Sequence, residues 1–245
     1  MKAIEYGKAN ERTIMLLHGG GLSYWNYRKE AESLAKDFHL ILPILSGHSD
    51  SGESFTSIED NAREILSYID QNCEGKLLVL GGLSLGAQIA VEMICQRNDV
   101  AERLIIESAA LLPDKLTNAL IKPALASSYW LIRKRWFAKW QFKSLKIRED
   151  FFEDYYRDSC QIAKSDMIAF LKANSSYEAK EQLKECQVKT RIIVGGKENK
   201  RMKESAKLLK SFLPNSVLEI KEGLHHGEYS LNHPDEYAKD LLAFV

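Results

Sequence analysis

Several features are missing from this 245-residue sequence, and each absence bears on its function. Neither sign of charge is in excess, because 34 Lys and Arg residues balance 34 Asp and Glu residues, so no overall field attracts nucleic acid. The four cysteines include no C-x-x-C pair, and the histidines lack a metal-ligand spacing such as H-x-x-x-H. The sequence therefore implies neither a nucleic-acid partner nor a metal site.

Long apolar runs are also missing. No stretch is long and apolar enough to span a membrane, and the opening residues MKAIEYGKANERT contain no apolar run typical of a signal peptide. Internal repeats and low-complexity segments are absent as well. We therefore expect a cytoplasmic protein, and the hydrophobic fraction of 45% supports a substantial core in one α/β domain with an insertion.

The most informative stretch runs from Lys76 to Arg97 and reads KLLVLGGLSLGAQIAVEMICQR. Its apolar run Leu77–Leu80 is typical of a strand buried on both faces, and apolar residues recur at helical spacing from Gln88 onward. Between the two lies G-L-S-L-G, which fits the G-x-S-x-G pattern of a nucleophile elbow. Such a turn holds a serine in a strained backbone conformation above the sheet, at the positive end of a helix. Ser84 is therefore the candidate nucleophile.

The pentapeptide alone is not specific, since glycine and serine are common residues. Its alternative interpretation is a glycine-rich turn in which Ser84 only caps the following helix. The position between a buried strand and an amphipathic helix favours the functional interpretation.

Predicted strands and helices alternate along most of the chain. The other strands are expected at Thr13–Leu17, Phe38–Leu42, Arg103–Glu107, Arg191–Val194 and Val217–Ile220. The other helices are expected at Asn26–Lys36, from Ser57 to about Gln71, from about Met202 to Phe212, and from Pro234 through Phe244. This alternation predicts an α/β fold with a doubly wound, mostly parallel sheet, whose ligand crevice lies at the carboxyl ends of the strands.

A glycine-rich loop, His18–Gly21, follows the first predicted strand at this edge. Its three glycines leave backbone N–H groups free to point at an oxyanion. A flexible loop and a phosphate cradle are the alternatives, and the second is disfavoured because no G-K-[ST] sequence follows. The polar loop Gly47–Asp50 and Ser108 fall at the same edge of the sheet.

The segment from Pro113 to about Cys186 breaks the alternation, since it predicts several helices and no strand. It holds three of the four tryptophans, and its part Trp130–Arg148 contains seven basic residues and no acidic one. We favour a helical lid whose aromatic residues pack over the active site while Lys and Arg reach into water, which would suit a substrate with an acyl or aromatic portion. A membrane surface or an anionic partner is the less favoured interpretation.

Five sequence blocks together resemble the α/β-hydrolase family, in its compact branch with a helical cap. They are LLHGGG, LPILSGHSDSG, GGLSLG, GGKEN and GLHHGE, and they occur in the expected order over nearly the whole chain. The resemblance implies a hydrolase core at residues 1–112 and 187–245, with a cap inserted at residues 113–186.

In this architecture the nucleophile, the acid and the base follow one another along the chain in that order. Ser84, Glu198 and His226 obey the order, and each follows a predicted strand. The family resemblance places the acid three residues after the glycine that ends a late strand, and this gives Glu198. Most similar members have Asp there, so Glu107 is kept as a rival acid and Asn199 as a third choice.

Two adjacent histidines compete for the role of the base. The sequence His226-Gly227 fits the family's His-Gly pattern better than His225 does, so His226 is preferred. The resemblance further implies an oxyanion hole formed by the backbone N–H of Leu85 and by that of Gly20 or Gly21.

The resemblance implies a serine hydrolase that cleaves a carboxylic ester or related acyl bond of a small, partly apolar substrate through an acyl-enzyme on Ser84, without cofactor or metal. A cofactor-free C–C hydrolase or lyase is the alternative on the same scaffold. A protein that binds a small ligand without chemistry is the alternative from a different class. It is disfavoured because a pure receptor needs no complete Ser/Glu/His set.

Overall fold

Seven strands form one sheet in the computed structural model, which describes residues 1–245. Their spatial order is β1-β3-β2-β4-β5-β6-β7, and every neighbouring pair is parallel except β1 with β3. The strands are β1 Lys2–Tyr6, β2 Thr13–Leu17, β3 His39–Ile44, β4 Leu77–Leu83, β5 Ala101–Glu107, β6 Lys189–Gly195 and β7 Ser216–Lys221. This confirms the predicted α/β class with its mostly parallel sheet.

Ten α-helices connect or flank these strands. They are α1 Arg28–Leu34, α2 Ile58–Asn72, α3 Leu85–Gln96, α4 Lys115–Ser128, α5 Arg135–Ser144, α6 Phe152–Gln161, α7 Lys164–Ser176, α8 Lys200–Phe212, α9 Glu228–Asn232 and α10 Pro234–Leu242. No helix is both long enough and apolar enough to cross a membrane.

The central strands bury both faces, as their continuous apolar sequences predict. In β2, Ile14 and Leu16 face one core, which also contains residues of α1 and α10. Met15 and Leu17 face the opposite core with residues of α2, α3 and α8. All four side chains are at most 1% exposed, so alternate residues of one strand fill two separate helix–sheet layers.

The first helix and the first strand differ from the sequence-based expectation. The predicted helix Asn26–Lys36 is a 3₁₀ turn at Tyr24–Tyr27 followed by the shorter α1. β1 was not expected, because Lys2–Tyr6 has no buried apolar run and each of its residues stays partly or fully exposed. Pairing with the edge of β3 decides its conformation, and that partner lies far away in sequence.

The residues between β5 and β6 contain helices and no strand, as expected. Buried hydrogen bonds attach α6 to the 3₁₀ turn Tyr24–Tyr27 and the residue after α7 to α3. Asp158 Oδ2 accepts from Trp25 Nε1 at 2.9 Å, and the Tyr177 hydroxyl donates to Glu92 Oε2 at 2.8 Å. The later part of the insertion is therefore fixed to the core by side-chain contacts as well as by packing.

Candidate active site

Ser84 alone forms the turn between β4 and α3. Its φ of 54° and ψ of −112° lie outside the helical and extended regions, and a non-glycine residue holds such a conformation only where its surroundings impose it. The Ser84 N–H donates to the carbonyl oxygen of Glu107 at 2.9 Å, and its own carbonyl accepts from the Gln88 N–H at 2.9 Å. Ser84 is partly exposed, whereas the residues on both sides of it are buried. This is the local geometry that the G-x-S-x-G pattern predicts.

Close backbone approach explains the two glycines of the motif. A Cβ on Gly82 would lie 2.5 Å from the carbonyl carbon of Gly86. A Cβ on Gly86 would overlap the carbonyl oxygens of Leu17 and His18. The strand and helix of the elbow therefore lie close together at Gly82, and the end of β2 lies directly against Gly86.

His226 and Glu198 are in direct contact at the carboxyl edge of the sheet, where Nδ1 lies 2.7 Å from Oε2. The Glu198 side chain is 2% exposed, and its Oε1 accepts from Ser108 Oγ at 2.7 Å and from the Gly195 N–H at 2.8 Å. Burial acts to raise the pKa of Glu198, but the hydrogen bond and charge of His226, with the other two bonds, hold that pKa below its ordinary value. An ionised carboxylate here keeps a proton on Nδ1 and leaves Nε2 free to accept one.

Ser108 is the site residue whose role sequence reasoning missed. It follows β5 directly, has a φ of 55°, and donates its N–H to the carbonyl oxygen of Ile193 at 2.9 Å. This position aims its hydroxyl at Glu198, a residue 90 positions away in sequence. Its place at the carboxyl end of a strand was the only local signal.

The rival acids lie in other environments. Glu107 makes no hydrogen bond to a histidine; its Oε1 accepts from the Ser230 N–H at 3.3 Å, and Oε2 has no partner. Burial raises the pKa of Glu107 to about 7, and the charge of Glu198 adds to this effect. Asn199 caps α8, where its Oδ1 accepts from the Met202 N–H at 2.9 Å.

The two neighbouring histidines have different partners. His225 Nδ1 lies 2.9 Å from Glu228 Oε2, and the same oxygen accepts from the His225 backbone N–H at 2.8 Å. Of the pair, it is His226 that lines a cavity together with Ser84. The geometry thus favours the histidine that the motif favoured.

This cavity has a volume of about 70 Å³. Ser84 and His226 supply its polar side chains, and the other lining side chains are Leu22, Leu83, Leu145, Ile147 and Leu231. A space of this size with apolar walls suits a short acyl group beside the serine hydroxyl.

Two backbone N–H groups beside this cavity are unpaired. Leu85 is the first residue of α3, so its N–H has no acceptor within the helix. Gly20 makes no hydrogen bond through its N–H, lines the cavity, and lies next to Leu85, since a Cβ on it would be 3.5 Å from Leu85 Cβ. Gly21 has a φ of 77° and does not line the cavity. Of the two glycines, Gly20 is therefore the better placed donor.

His18 holds the glycine-rich loop and does not reach the cavity. Its Nδ1 lies 2.9 Å from the carbonyl oxygen of Gly19, and its Nε2 accepts from the Leu45 N–H at 3.1 Å. A neutral ring with its proton on Nδ1 satisfies both contacts. Burial, with repulsion from His48, lowers the pKa of His18 to about 3, so the ring stays neutral at physiological pH.

The tryptophans of the insertion do not pack over the cavity, so the lid interpretation was wrong on this point. Trp130, Trp136 and Trp140 are 59%, 65% and 66% exposed. Leu145 and Ile147, which follow α5, are the insertion's contribution to the cavity wall.

Comparisons with known proteins agree with this fold. The model of the Alpha/beta hydrolase family matches residues 14–240. The uncharacterized hydrolase YugF of Bacillus subtilis (strain 168) is 25% identical over 228 residues, which cover 87% of this chain and 82% of that protein.

Solved structures of two esterases are also similar. The esterase EaEST from Exiguobacterium antarcticum gives a TM-score of 0.83 at 17% identity, over 99% of this chain and 94% of that one. A thermophilic esterase from Thermogutta terrifontis gives a TM-score of 0.80 at 16% identity, over 99% of this chain and 92% of that one. At these identities the likeness establishes the fold.

Proposed function

The chain belongs to the alpha/beta hydrolase family, and we propose that this hydrolase cleaves a carboxylic ester or a related acyl bond of a small, partly apolar substrate. Ser84 is the nucleophile, His226 is the general base, and Glu198 orients the imidazole. The backbone N–H groups of Leu85 and Gly20 stabilise the oxyanion. The cap is the inserted segment 113–186, and a cytoplasmic location stays a prediction.

One observation carries this proposal. His226, whose Nδ1 contacts the buried Glu198, lines the same small cavity as the strained Ser84. A serine at positive φ, a histidine with a fixed tautomer and unpaired N–H groups at one cavity are the parts that acyl transfer needs.

In the first half of the reaction, His226 Nε2 takes the proton of the Ser84 hydroxyl as Oγ attacks the carbonyl carbon. The negative charge that develops on the carbonyl oxygen is stabilised by the two N–H groups. The imidazolium, stabilised by Glu198, then gives its proton to the departing alcohol, and the acyl group stays on Oγ. Ser84 Oγ makes no hydrogen bond in the structure, and its bond to Nε2 is expected to form in the substrate complex.

In the second half, a water molecule replaces the alcohol. His226 takes one proton from this water as its oxygen attacks the acyl carbon, and a second tetrahedral oxyanion forms. The collapse of this intermediate releases the carboxylic acid, and Ser84 recovers its proton from His226. Each step uses groups of this chain together with substrate and water.

The cavity constrains the acyl group. With about 70 Å³ between apolar walls, it accommodates an acetyl or propionyl group more readily than a long chain. A series of p-nitrophenyl esters of increasing acyl length is therefore expected to show the highest kcat/KM at the short end.

Labelling with a fluorophosphonate probe tests the proposal, since the probe forms a covalent bond with an activated serine. The wild-type protein is expected to be labelled, while Ser84→Ala and His226→Ala are not. His225→Ala is the matched control, because His225 pairs with Glu228 and does not line the cavity. Its labelling should stay within a fewfold of the wild type.

Other outcomes would favour the alternatives. Labelling that persists in Ser84→Ala would place the reactive group elsewhere. A folded wild-type protein without labelling or ester hydrolysis would favour a lyase-type reaction or ligand binding without chemistry.

A further inference from the structure

The segment Lys115–Arg148 is unlike the rest of this chain in charge. It contains nine basic residues and no acidic one, although the whole sequence is neutral. Salt bridges engage only two of the nine, Arg135 with Glu153 and Arg148 with Asp150. The seven without a salt bridge are Lys115, Lys122, Arg133, Lys134, Lys139, Lys143 and Lys146, and all seven are exposed.

The same segment concentrates exposed apolar side chains. Six of the nine large apolar residues that are exposed in this protein lie here: Leu116, Leu120, Trp130, Trp136, Trp140 and Leu145. Single exposed apolar residues are ordinary, whereas their concentration within one basic segment of the chain favours an interaction site there. We call these six residues, with the seven unpaired cations, the basic aromatic surface.

Helix α5 shows how this surface is built. Its inner face buries Ala138 and Phe142. Trp136 and Trp140 are four residues apart and therefore lie on one outer face, next to Lys139 and Lys143. Both rings lie near that of Phe137, with centroids 5.8 and 5.7 Å apart, but both stay largely exposed, so burial in the core does not account for this outward apolar stripe.

We propose that the basic aromatic surface docks on an anionic lipid bilayer. Charge complementarity selects this partner, because seven unpaired cations meet the negative surface potential of anionic headgroups. Tryptophan is the side chain best suited to the headgroup boundary, where its ring is apolar and its N–H is polar. The Nε1 groups of Trp136 and Trp140 make no hydrogen bond within the protein and are free for such contacts.

Docking would place the candidate active site near the lipid surface. Leu145 belongs to the basic aromatic surface, is 41% exposed, and also lines the cavity with Ser84. The docking itself does not depend on the proposed hydrolysis, because none of the docking residues named on α5 lines that cavity.

Vesicle flotation tests the proposal. The probe is phosphatidylcholine vesicles with about 30 mole per cent phosphatidylglycerol, compared with vesicles of phosphatidylcholine alone. The wild-type protein is expected to float with the anionic vesicles at about 0.05 M salt and to dissociate at about 0.5 M salt, because salt screens the lysines. Its tryptophan emission should shift to shorter wavelength on binding.

Two double variants separate the contributions. W136S/W140S should lower binding to anionic vesicles at least about tenfold, since it removes the apolar anchors. K139Q/K143Q should lower it by roughly fivefold per charge removed and weaken its salt dependence. Circular dichroism confirms folding, which exposed positions should not disturb.

The matched controls lie outside the segment. V217S/L242S removes two exposed apolar residues, and K76Q/K207Q removes two exposed lysines; both should bind as the wild type does. Ser84→Ala should also bind normally, so a failure of docking and a failure of the proposed hydrolysis give different results.

Three results would overturn the proposal. The wild type would bind anionic vesicles no better than neutral ones, or the controls would lose as much binding as the variants of α5. Sedimentation would show a dimer that W136S/W140S converts to a monomer, which would make the surface an interface between two copies of this chain.

Discussion

Two regions of this protein handle polar groups in opposite ways. At the carboxyl edge of the sheet, Glu198 is almost fully buried, and both of its oxygens are paired with Ser108, Gly195 and His226. On the basic aromatic surface, seven exposed cations make no salt bridge, and tryptophan rings lie exposed among them. The polar groups of the first region are paired within the chain, whereas most side chains of the second point into solvent.

This difference predicts which properties a substitution in each region should change. A buried charge depends on each hydrogen bond, because removing one partner leaves a desolvated group unpaired. Replacing an exposed cation changes the stability of the protein little, since water already solvates that cation in the folded state. Changes at the sheet edge should therefore alter turnover and stability, whereas changes on the basic aromatic surface should alter only binding.

Of the changes that test this contrast, Glu198→Gln is expected to have the largest effect, which is a loss of turnover. Glutamine keeps an acceptor for Ser108 and Gly195 but turns an NH₂ group toward His226, which disfavours the tautomer that the base needs. We expect kcat for a short-chain ester to fall about a thousandfold or more, while vesicle binding is unchanged.

Glu228→Gln is the matched control for that variant. Glu228 contacts the neighbouring His225 at 2.9 Å with a similar carboxylate-to-Nδ1 geometry. Its replacement should change kcat by no more than a fewfold. Equal losses in the two variants would show that His226 is not the base.

The next largest effect is a loss of stability, which should differ between the buried and the exposed face of α5. Phe142→Ala empties a site that is 4% exposed and packed against Phe152 and Tyr155, with ring centroids at 5.4 and 5.2 Å. Its cost should be about 3 kcal/mol of unfolding free energy. Trp140→Ala, on the exposed face, should cost less than about 0.5 kcal/mol.

Urea denaturation of both variants measures this contrast. A Trp140→Ala variant that loses as much stability as Phe142→Ala would mean that the tryptophan is buried against another part of the fold, and the basic aromatic surface would lose its apolar component.

A third effect concerns the buried charge of Glu107. Burial raises its pKa from 4.5 to about 7, so the folded state holds the proton more tightly than the unfolded state does. The resulting stability is present below pH 4.5 and is lost as the pH rises through about 7. Glu107→Gln removes this dependence, so its loss of unfolding free energy from about pH 5 to about pH 8 should be smaller than that of the wild type, by about 2 kcal/mol.

Chemical denaturation at the two pH values measures the change, with Glu222→Gln, an exposed position, as the control. If the unfolding free energy of Glu107→Gln changed between these pH values as much as that of the wild type, the Glu107 carboxyl would be ionised in the folded protein throughout the range.

The smallest of these effects is expected at Ser108. Replacing it with Gly removes the hydroxyl that donates to Glu198 and also relaxes the positive φ of 55°. Because Ser108 acts only through Glu198, kcat should fall about tenfold with KM unchanged. The relaxed φ should offset the stability that is lost with this hydrogen bond, so the melting temperature should stay close to that of the wild type.

Ser108→Ala, which removes the hydroxyl but keeps the unfavourable φ, should show the same fall in kcat together with a lower melting temperature. If both variants kept the kcat of the wild type, Ser108 would not be a positioning residue for Glu198.

Much of this architecture follows from local sequence. Six strands were predicted from short apolar runs, and continuous runs such as Leu77–Leu80 suit a strand covered on both faces. Ser84 was found because an elbow needs small residues at fixed spacing, and the close backbone approach at Gly82 and Gly86 gives the reason. β1 escaped prediction because its conformation depends on pairing with a distant strand.

The sequence by itself determined that the chain forms a mostly parallel sheet and which loops meet at its carboxyl edge, because both follow from short-range periodicity and strand order. Only the tertiary structure decided that Glu198 rather than Glu107 contacts His226, that Ser108 supports it, and that the tryptophans face outward. Those outcomes depend on distances between side chains far apart in sequence, and the packing of helices on the sheet sets those distances.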